Sequence, residues 1–380
     1  MFCFILRRAH GRDARVTGIG SKNLPGEGMS HLHDRRVFLR FAAAAGIVPL
    51  LPATLLAAEP RTSGDVPFAP PGGSGTTRPT LPLAKFPEKT DLILLTDRPP
   101  NLETPIAHFV HDLTPNDAFF VRWHLGIIPT RIDTATYRLK VAGHVDHELN
   151  LSLDELRKNF EPASVIAVNQ CSGNSRSLFE PRVPGGQWGN GAVGNAKWTG
   201  VRLADLLKKA GIKAGAVDVS FGGLDKSPMP TVQPFVKSLP ADHEKVGETI
   251  VAYAMNDQPL PMLNGFPLRL VVPGWYATYW VKTLNEITVT NEKFKGFWME
   301  KAYRIPTNPG VQETPAELAK ETVPINAMTC RSIFVRPESG QQVKATTPIE
   351  IEGLAWDSGK GITKVEISVD AGKTWADATL

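Results

Sequence analysis

The sequence predicts an α+β body that runs on into the first strands of a β-sandwich. Three observations carry this. Short apolar segments with strand character are interrupted by only two clear helical patterns, and no repeating strand–helix–strand series emerges. Gly and Pro are frequent, 33 and 32 in 380 residues, which favours strands, turns and long loops over a helical bundle. After Cys330 the apolar pattern changes to a period of two.

Hydrophobic residues make up 42% and charged residues 21% of the chain, ordinary globular values, and the length suffices for two domains. The formal net charge of +4 is unevenly placed. Residues 1–58 hold eight of the 42 Lys/Arg and three of the 38 Asp/Glu, so this segment carries +5 and the remainder −1. The body therefore lacks the basic signature of a nucleic-acid binder.

The basic segment reads as a removable leader. Asp34-Arg35-Arg36-Val37-Phe38-Leu39-Arg40 is a twin-arginine pattern, followed by an apolar run from Phe41 to Leu56 and the small pair Ala57-Ala58. Pro49 and Pro52 interrupt the run, which argues against a stable membrane span after signal removal. Met29 is a second candidate start. Twin-arginine export carries folded proteins, so the leader predicts a cofactor enzyme of the periplasm.

Residues 59–90, rich in Pro, Gly, Ser and Thr, read as an extended arm. A catalytic body is expected over 91–325. Tyr137 to Val141 alternates as a strand, and Ser152-Leu-Asp-Glu155 is a capping box opening a short helix. Val165 to Val168 is a short buried strand that delivers Asn169-Gln170-Cys171 at its end. Leu203 to Ala210 is a helix stopped by Gly211. Val217 to Phe221, Ile250 to Ala254, Leu268 to Val272 and Ile287 to Thr290 are further strands. Over 326–380, Ile333 to Val335, Ile349 to Glu352 and Lys364 to Val369 alternate, and Asp370 to Trp375 looks like a hairpin turn. This resembles the start of an immunoglobulin-like sandwich. Such a sandwich needs about seven strands, more than fit before Leu380, so the chain reads as truncated at its C-terminus.

The three cysteines, Cys3, Cys171 and Cys330, fit no zinc or iron–sulfur spacing. No CxxCH haem attachment site occurs in the sequence, so any electrons leave to another chain. Taken alone, Cys171 admits an inert buried thiol, a disulfide with Cys330 in an oxidising compartment, or a soft-metal ligand placed after a buried strand and before the tight turn Ser172-Gly173.

Four segments stand out: Phe120-Val-Arg-Trp-His-Leu125, Asn169-Gln-Cys-Ser-Gly-Asn-Ser-Arg176, Leu260-Pro-Met-Leu-Asn-Gly-Phe-Pro-Leu-Arg269 running on to Val272-Pro-Gly274, and Trp298-Met-Glu-Lys-Ala-Tyr303. Together they resemble the sulfite oxidase family of molybdopterin enzymes, over about residues 97–375, and most closely its bacterial sulfite:cytochrome c oxidoreductases. One departure is visible: vertebrate members place His before Gly-Phe-Pro, where this chain has Asn264. The resemblance implies a sulfite-oxidase-type molybdopterin domain followed by a dimerisation sandwich. It also implies a molybdenum–molybdopterin cofactor with Cys171 as the only protein ligand to the metal.

Arg122 and Arg176 are then the candidates for sulfite, a small dianion suited to guanidinium forks. His124, two residues from Arg122 on an extended segment, faces the same side and would lie against the cofactor. Tyr303 would stand beside the reacting centre, and Trp188 would wall the anion pocket. Phe120, Val121, Arg122 and His124 are candidate cofactor contacts. Arg269 and Lys282, with Asn264, Trp280 and Val281 beside them, are candidates for its terminal phosphate, and Asp225 for its amino-pyrimidine. The activity implied is oxidation of sulfite to sulfate, with electrons passed one at a time to a c-type cytochrome. An alternative is a related reductase acting on a sulfoxide or another oxo-substrate, against which the paired arginines argue. A periplasmic binding module without cofactor is a third reading.

Overall fold

The computed structural model describes residues 81–380 apart from 309–310, 312, 314–316, 339–340, 345–347 and 371, and, before residue 81, only the backbone of Cys3–Arg8, Asp13–Ala14 and Val37–Ala42. The rest of the expected leader, including its arginine pair, and residues 59–80 of the expected arm lie outside the described residues. Residues 83–90 depart from the extended arm. Leu83–Ala84 pairs with β1 (Leu92–Asp97), and the Lys89 ammonium is buried, donating to the carbonyls of Asn116 and Phe119 at 2.6 and 3.0 Å. Those acceptors tie the segment to the body, which its loop-like composition conceals. β2 (Pro100–Glu103) and β3 (Val121–Arg122) complete this edge sheet around Leu92, Leu102, Val121 and Trp123.

Next come β4 (Leu139–Gly143), β5 (Leu149–Leu151) and helix α1 (Leu153–Asn159). The expected capping box starts α1: Ser152 Oγ accepts from the Glu155 amide at 3.2 Å, and Glu155 accepts from the Ser152 amide at 2.8 Å. β6 (Pro162–Gln170) and β7 (Val193–Arg202) lead into α2 (Leu203–Ala210). α2 buries Leu203, Leu206, Leu207 and Ala210, a stripe at helical spacing, and ends where Gly211 takes φ 69°. β8 (Asp218–Gly223), β9 (Val236–Pro240), β10 (Ile250–Met255), β11 (Arg269–Val271) and β12 (Leu284–Thr290) follow.

These strands build two five-stranded sheets. One runs β9-β8-β12-β4-β5, antiparallel except where β12 meets β4. The other joins β6, β7 and β10, with β11 and the short strand Gln258–Pro259 both on β10. A single apolar core, rich in aromatic residues such as Trp198, Trp280 and Phe221, spans both sheets and α2.

The C-terminal unit holds β13 (Arg331–Arg336), β14 (Glu350–Trp356) and β15 (Ile362–Ser368). β13 and β14 pair antiparallel with Arg331 opposite Trp356. The backbone of Val37–Ala42 lies beside β14, and that of Cys3–Arg8 beside β15. Residues of β14 and β15, including Ile351, Ala355, Val365 and Ile367, share one cluster. A second cluster joins Ile333, Val335, Leu354 and Trp356 to Phe109 and Val193, and so ties the unit to the body.

Candidate active site

Cys171 owes its place to the pairing of β6 with β7. Asn169 and Gln170 lie opposite Gly194 and Val193, and the Cys171 amide donates to the Ala192 carbonyl at 2.9 Å. The chain then turns, with the Asn174 amide on the Cys171 carbonyl (3.0 Å) and the Gly173 amide 3.4 Å from the Cys171 sulfur. The thiol is buried and free, so no Cys171–Cys330 disulfide forms.

This loop is zipped to the returning strand of chain. The Ser175 amide donates to the Gly189 carbonyl (2.6 Å), and that of Ser177 to the Trp188 carbonyl (3.0 Å). Buried Glu103, at the end of β2, clamps the return by accepting from the amides of Gly189 and Gly191 at 2.8 and 3.0 Å. The arginine that follows, Arg176, lies under two glycines: a Cβ at Gly173 would come within 2.9 Å of its guanidinium, and one at Gly185 within 2.5 Å.

Cys171 opens on a cavity lined by residues from several segments of the body. Phe120, Arg122 and His124 line it from the extended segment around β3, as their alternation predicts. Asn264, Arg269, Trp280 and Lys282 line it from the segment around β11, and Tyr303 closes it. The Tyr303 hydroxyl lies 2.5 Å from His124 Nε2, within reach of the Arg122 charge. Tyr303 sits at φ 57°, a left-handed conformation unusual for a bulky residue, and its carbonyl is held by the Ile325 amide at 2.8 Å. Phe235 stacks on the His124 ring, with centroids 3.8 Å apart.

The charge around this hollow is one-sided. Arg122, Arg176, Arg269, Lys282, Lys237 and Lys89 gather on or behind its wall, and none of them makes a salt bridge among the described residues. They are held by neutral acceptors instead. Lys282 donates to the Arg122 carbonyl at 2.6 Å, Lys237 to the Trp298 carbonyl at 2.7 Å, and Lys89 to the Asn264 side chain. Arg269 donates to the Asn264 carbonyl and the Asn169 side chain, both at 3.0 Å, and rests over the Trp198 and Trp280 rings.

Burial pushes Lys89, Lys237 and Lys282 down to about 7 and Arg269 down to about 9. Burial, then the charges of Arg122, Lys282 and Lys237, hold His124 well below its ordinary value, so its ring is neutral. Burial raises Tyr303, and the same effect raises Asp225 against the pull of Lys282. A hollow of this kind is built for an anion. Its wall also carries buried donors without a partner: Asn169 Nδ2, Arg269 Nε and the Thr278 hydroxyl. Cations, orphan donors and a free thiol on one cavity fit a phosphate-bearing pterin that holds a thiophilic metal.

Not every expected residue reaches the wall. Val121 turns its side chain away, into the edge cluster with Trp123, and Val281 packs in the main core. Asp225 is buried near Gly223 and Lys282 but does not line the cavity. Arg176 and Trp188 stand behind the Cys171 loop, although the charge of Arg176 acts on Tyr303. The structure adds Asn169, Thr278 and Phe235 to the wall and Lys89 and Lys237 behind it. Asn169 sits in a quoted motif. Nothing in the sequence around Lys89 or Lys237 sets them apart from surface lysines.

The family described as "Oxidoreductase molybdopterin binding domain" matches residues 124–298, and "Mo-co oxidoreductase dimerisation domain" matches 322–380. Sulfite oxidase of Arabidopsis thaliana is 32% identical, over 74% of this chain and 74% of its own length. The chain belongs to the sulfite oxidase family. The mitochondrial sulfite oxidase of Rattus norvegicus is 35% identical over 74% of this chain, and the chain spans 52% of that relative's length. The sulfane dehydrogenase SoxCD of Paracoccus pantotrophus shares the fold with a TM-score of 0.63 and 25% identity, over 79% of this chain and 72% of that one. The chain therefore carries the family's molybdopterin-binding domain, whose cofactor is molybdenum–molybdopterin, and the cavity described above suits it.

Proposed function

We propose that the protein oxidises sulfite to sulfate at a molybdenum–molybdopterin centre ligated by Cys171. The observation that carries this reading is the meeting of Cys171, Arg122 and Tyr303 on one cavity, with Arg176 behind it and no carboxylate ion-paired with either arginine among the described residues. When bound, the cofactor supplies the two-electron redox chemistry and the oxygen atom exchanged with substrate.

The residues of the chain do the rest. Arg122, on the wall, fixes the oxygens of a dianion, and Arg176, behind the loop, adds its charge to the attraction. Arg269 and Lys282, with Asn264, Asn169 and Trp280 beside them, would hold the cofactor's phosphate end, and Asp225 would serve its pyrimidine from behind the wall, beside Lys282. Tyr303 shares a hydrogen bond with neutral His124 beside the Arg122 charge, so its hydroxyl proton has a route on and off at the reacting centre. Trp188 backs the anion loop and excludes water.

We read the electron acceptor as a c-type cytochrome, the acceptor implied by the resemblance to bacterial sulfite:cytochrome c oxidoreductases. The twin-arginine leader supports folded export and a periplasmic location, and the alternation over 326–380 supports an immunoglobulin-like dimerisation sandwich. The test is sulfite-dependent reduction of cytochrome c by molybdenum-loaded protein. Turnover with a sulfane sulfur donor but none with sulfite would move the substrate assignment. Reduction of a sulfoxide without sulfite oxidation would replace the reading with that of a reductase.

A further inference from the structure

The C-terminal unit reaches the candidate site through one cross-strand pair. Arg331 on β13 and Trp356 on β14 are directly opposite each other, so their side chains leave the sheet on the same face. The Trp356 indole N–H donates to Gln170 Oε1 at 2.6 Å, one residue before Cys171. The Arg331 guanidinium donates to the Asn174 carbonyl at 3.1 Å and to the Ser175 hydroxyl at 2.5 Å, just after the Cys171 turn and just before Arg176. Ser175 passes the contact on, donating to Asn190 Oδ1 at 2.5 Å, and holds a left-handed φ of 68°. The loop is thus gripped on both sides of the thiol by a neighbouring unit. An apolar cluster of Trp356, Leu354, Ile333, Phe109 and Val193 keeps the two faces together. Arg331 makes no salt bridge among the described residues, so its fork is committed to the loop.

We propose that Arg331 and Trp356 are positioning residues. They set the Cys171 sulfur and the Arg176 guanidinium relative to each other, so the C-terminal unit takes part in building the anion site as well as in assembly. This rests on the roles given to Cys171 and Arg176 above. Neither residue touches substrate or cofactor. Losing the Arg331 fork leaves the Asn174 carbonyl and the Ser175 hydroxyl without their donor, and frees a strained residue next to Arg176. Losing the indole N–H leaves Gln170 Oε1 bare while an aromatic ring still fills the cluster.

Three full-length variants test this: Arg331→Met, Arg331→Lys and Trp356→Phe, with Lys364→Gln, on the far strand β15, as control. Two readouts are taken. The first is the alkylation rate of the Cys171 peptide in protein made without the pterin, read by mass. The second is KM and kcat for sulfite in the loaded enzyme. Arg331→Met should alkylate about tenfold faster at Cys171 and raise KM about tenfold, with a smaller effect on kcat. Arg331→Lys, which keeps the charge and one donor, should recover part of both, and Lys364→Gln should match the parent. Trp356→Phe keeps the packing, so a change in its alkylation rate reports the loop alone. Parental alkylation rates and parental KM in Arg331→Met and Trp356→Phe would overturn the proposal. An inactive parent whose Cys171 alkylation still responds to Arg331 would instead refute the sulfite reading and leave the positioning role standing.

Discussion

The Tyr303 hydroxyl and His124 Nε2 are 2.5 Å apart, and the Arg122 charge acts on the same hydroxyl. His124 is neutral, so the single phenol proton is left to share with the imidazole or to offer to substrate. Tyr303→Phe should therefore lower kcat by about a hundredfold, the low end for a lost proton-transfer partner, while leaving molybdenum content unchanged. Wild-type turnover in that variant, measured by stopped-flow reduction of the enzyme with sulfite, would remove Tyr303 from the chemistry.

Among the described residues, neither Arg122 nor Arg176 makes a salt bridge. Arg122→Gln should reduce kcat/KM for sulfite by about 2.7–4 kcal/mol in transition-state terms, the range for a lost oxyanion-stabilising donor. Because the site is enclosed, the ratio between wild type and variant should persist at high ionic strength. Kinetics at low and high salt decide this, and a ratio that collapses with salt would place the arginine's effect at the surface.

Cys171 is a free thiol at the cavity wall. Cys171→Ser should fold with the parental melting temperature in the cofactor-free state, yet purify with little molybdenum. Metal analysis beside a thermal melt checks both halves, and full metal occupancy would show that another group holds the metal.

The buried lysines give the cofactor-free protein a pH signature. Lys89, Lys237 and Lys282 titrate near 7 when folded and near their ordinary 10.5 when unfolded. Between those values the unfolded chain binds more protons, so stability rises with pH across 7 to 10.5 and is lost as pH falls toward the folded value. The melting temperature of cofactor-free protein should climb between pH 7 and 9.5, and Lys237→Met should flatten the climb. His124, lowered in the same direction, adds a further loss of stability as pH falls below about 6.5. A flat profile would mean that these lysines stay charged in the folded protein.

Much of this was legible in the sequence because it is local. The capping box at Ser152 and Glu155, the stop at Gly211 and the strand ending at Cys171 each follow from neighbouring residues. The pairing of Arg122 with His124 on one face followed from the period of an extended segment. Lys89 and Lys237 escaped because their burial comes from partners far along the chain, such as Asn264 and Trp298. Val121 was drawn in with its motif, yet alternation turns it away from the cavity, a point the same period could have shown. Arg331 and Trp356 were hidden for a related reason: their partners precede them by more than 150 residues.

The Glu103 clamp has a consequence for how this scaffold can change. Both of its oxygens are spent on the amides of Gly189 and Gly191, and a side chain at 191 would strike the Thr104 carbonyl at 1.9 Å. Mutation can hardly move that end of the loop without unseating the sulfur it supports. Diversification toward new oxyanions is therefore channelled into the exposed stretch that includes Leu178, Phe179 and Val183, which a designer could randomise while the thiol stays put.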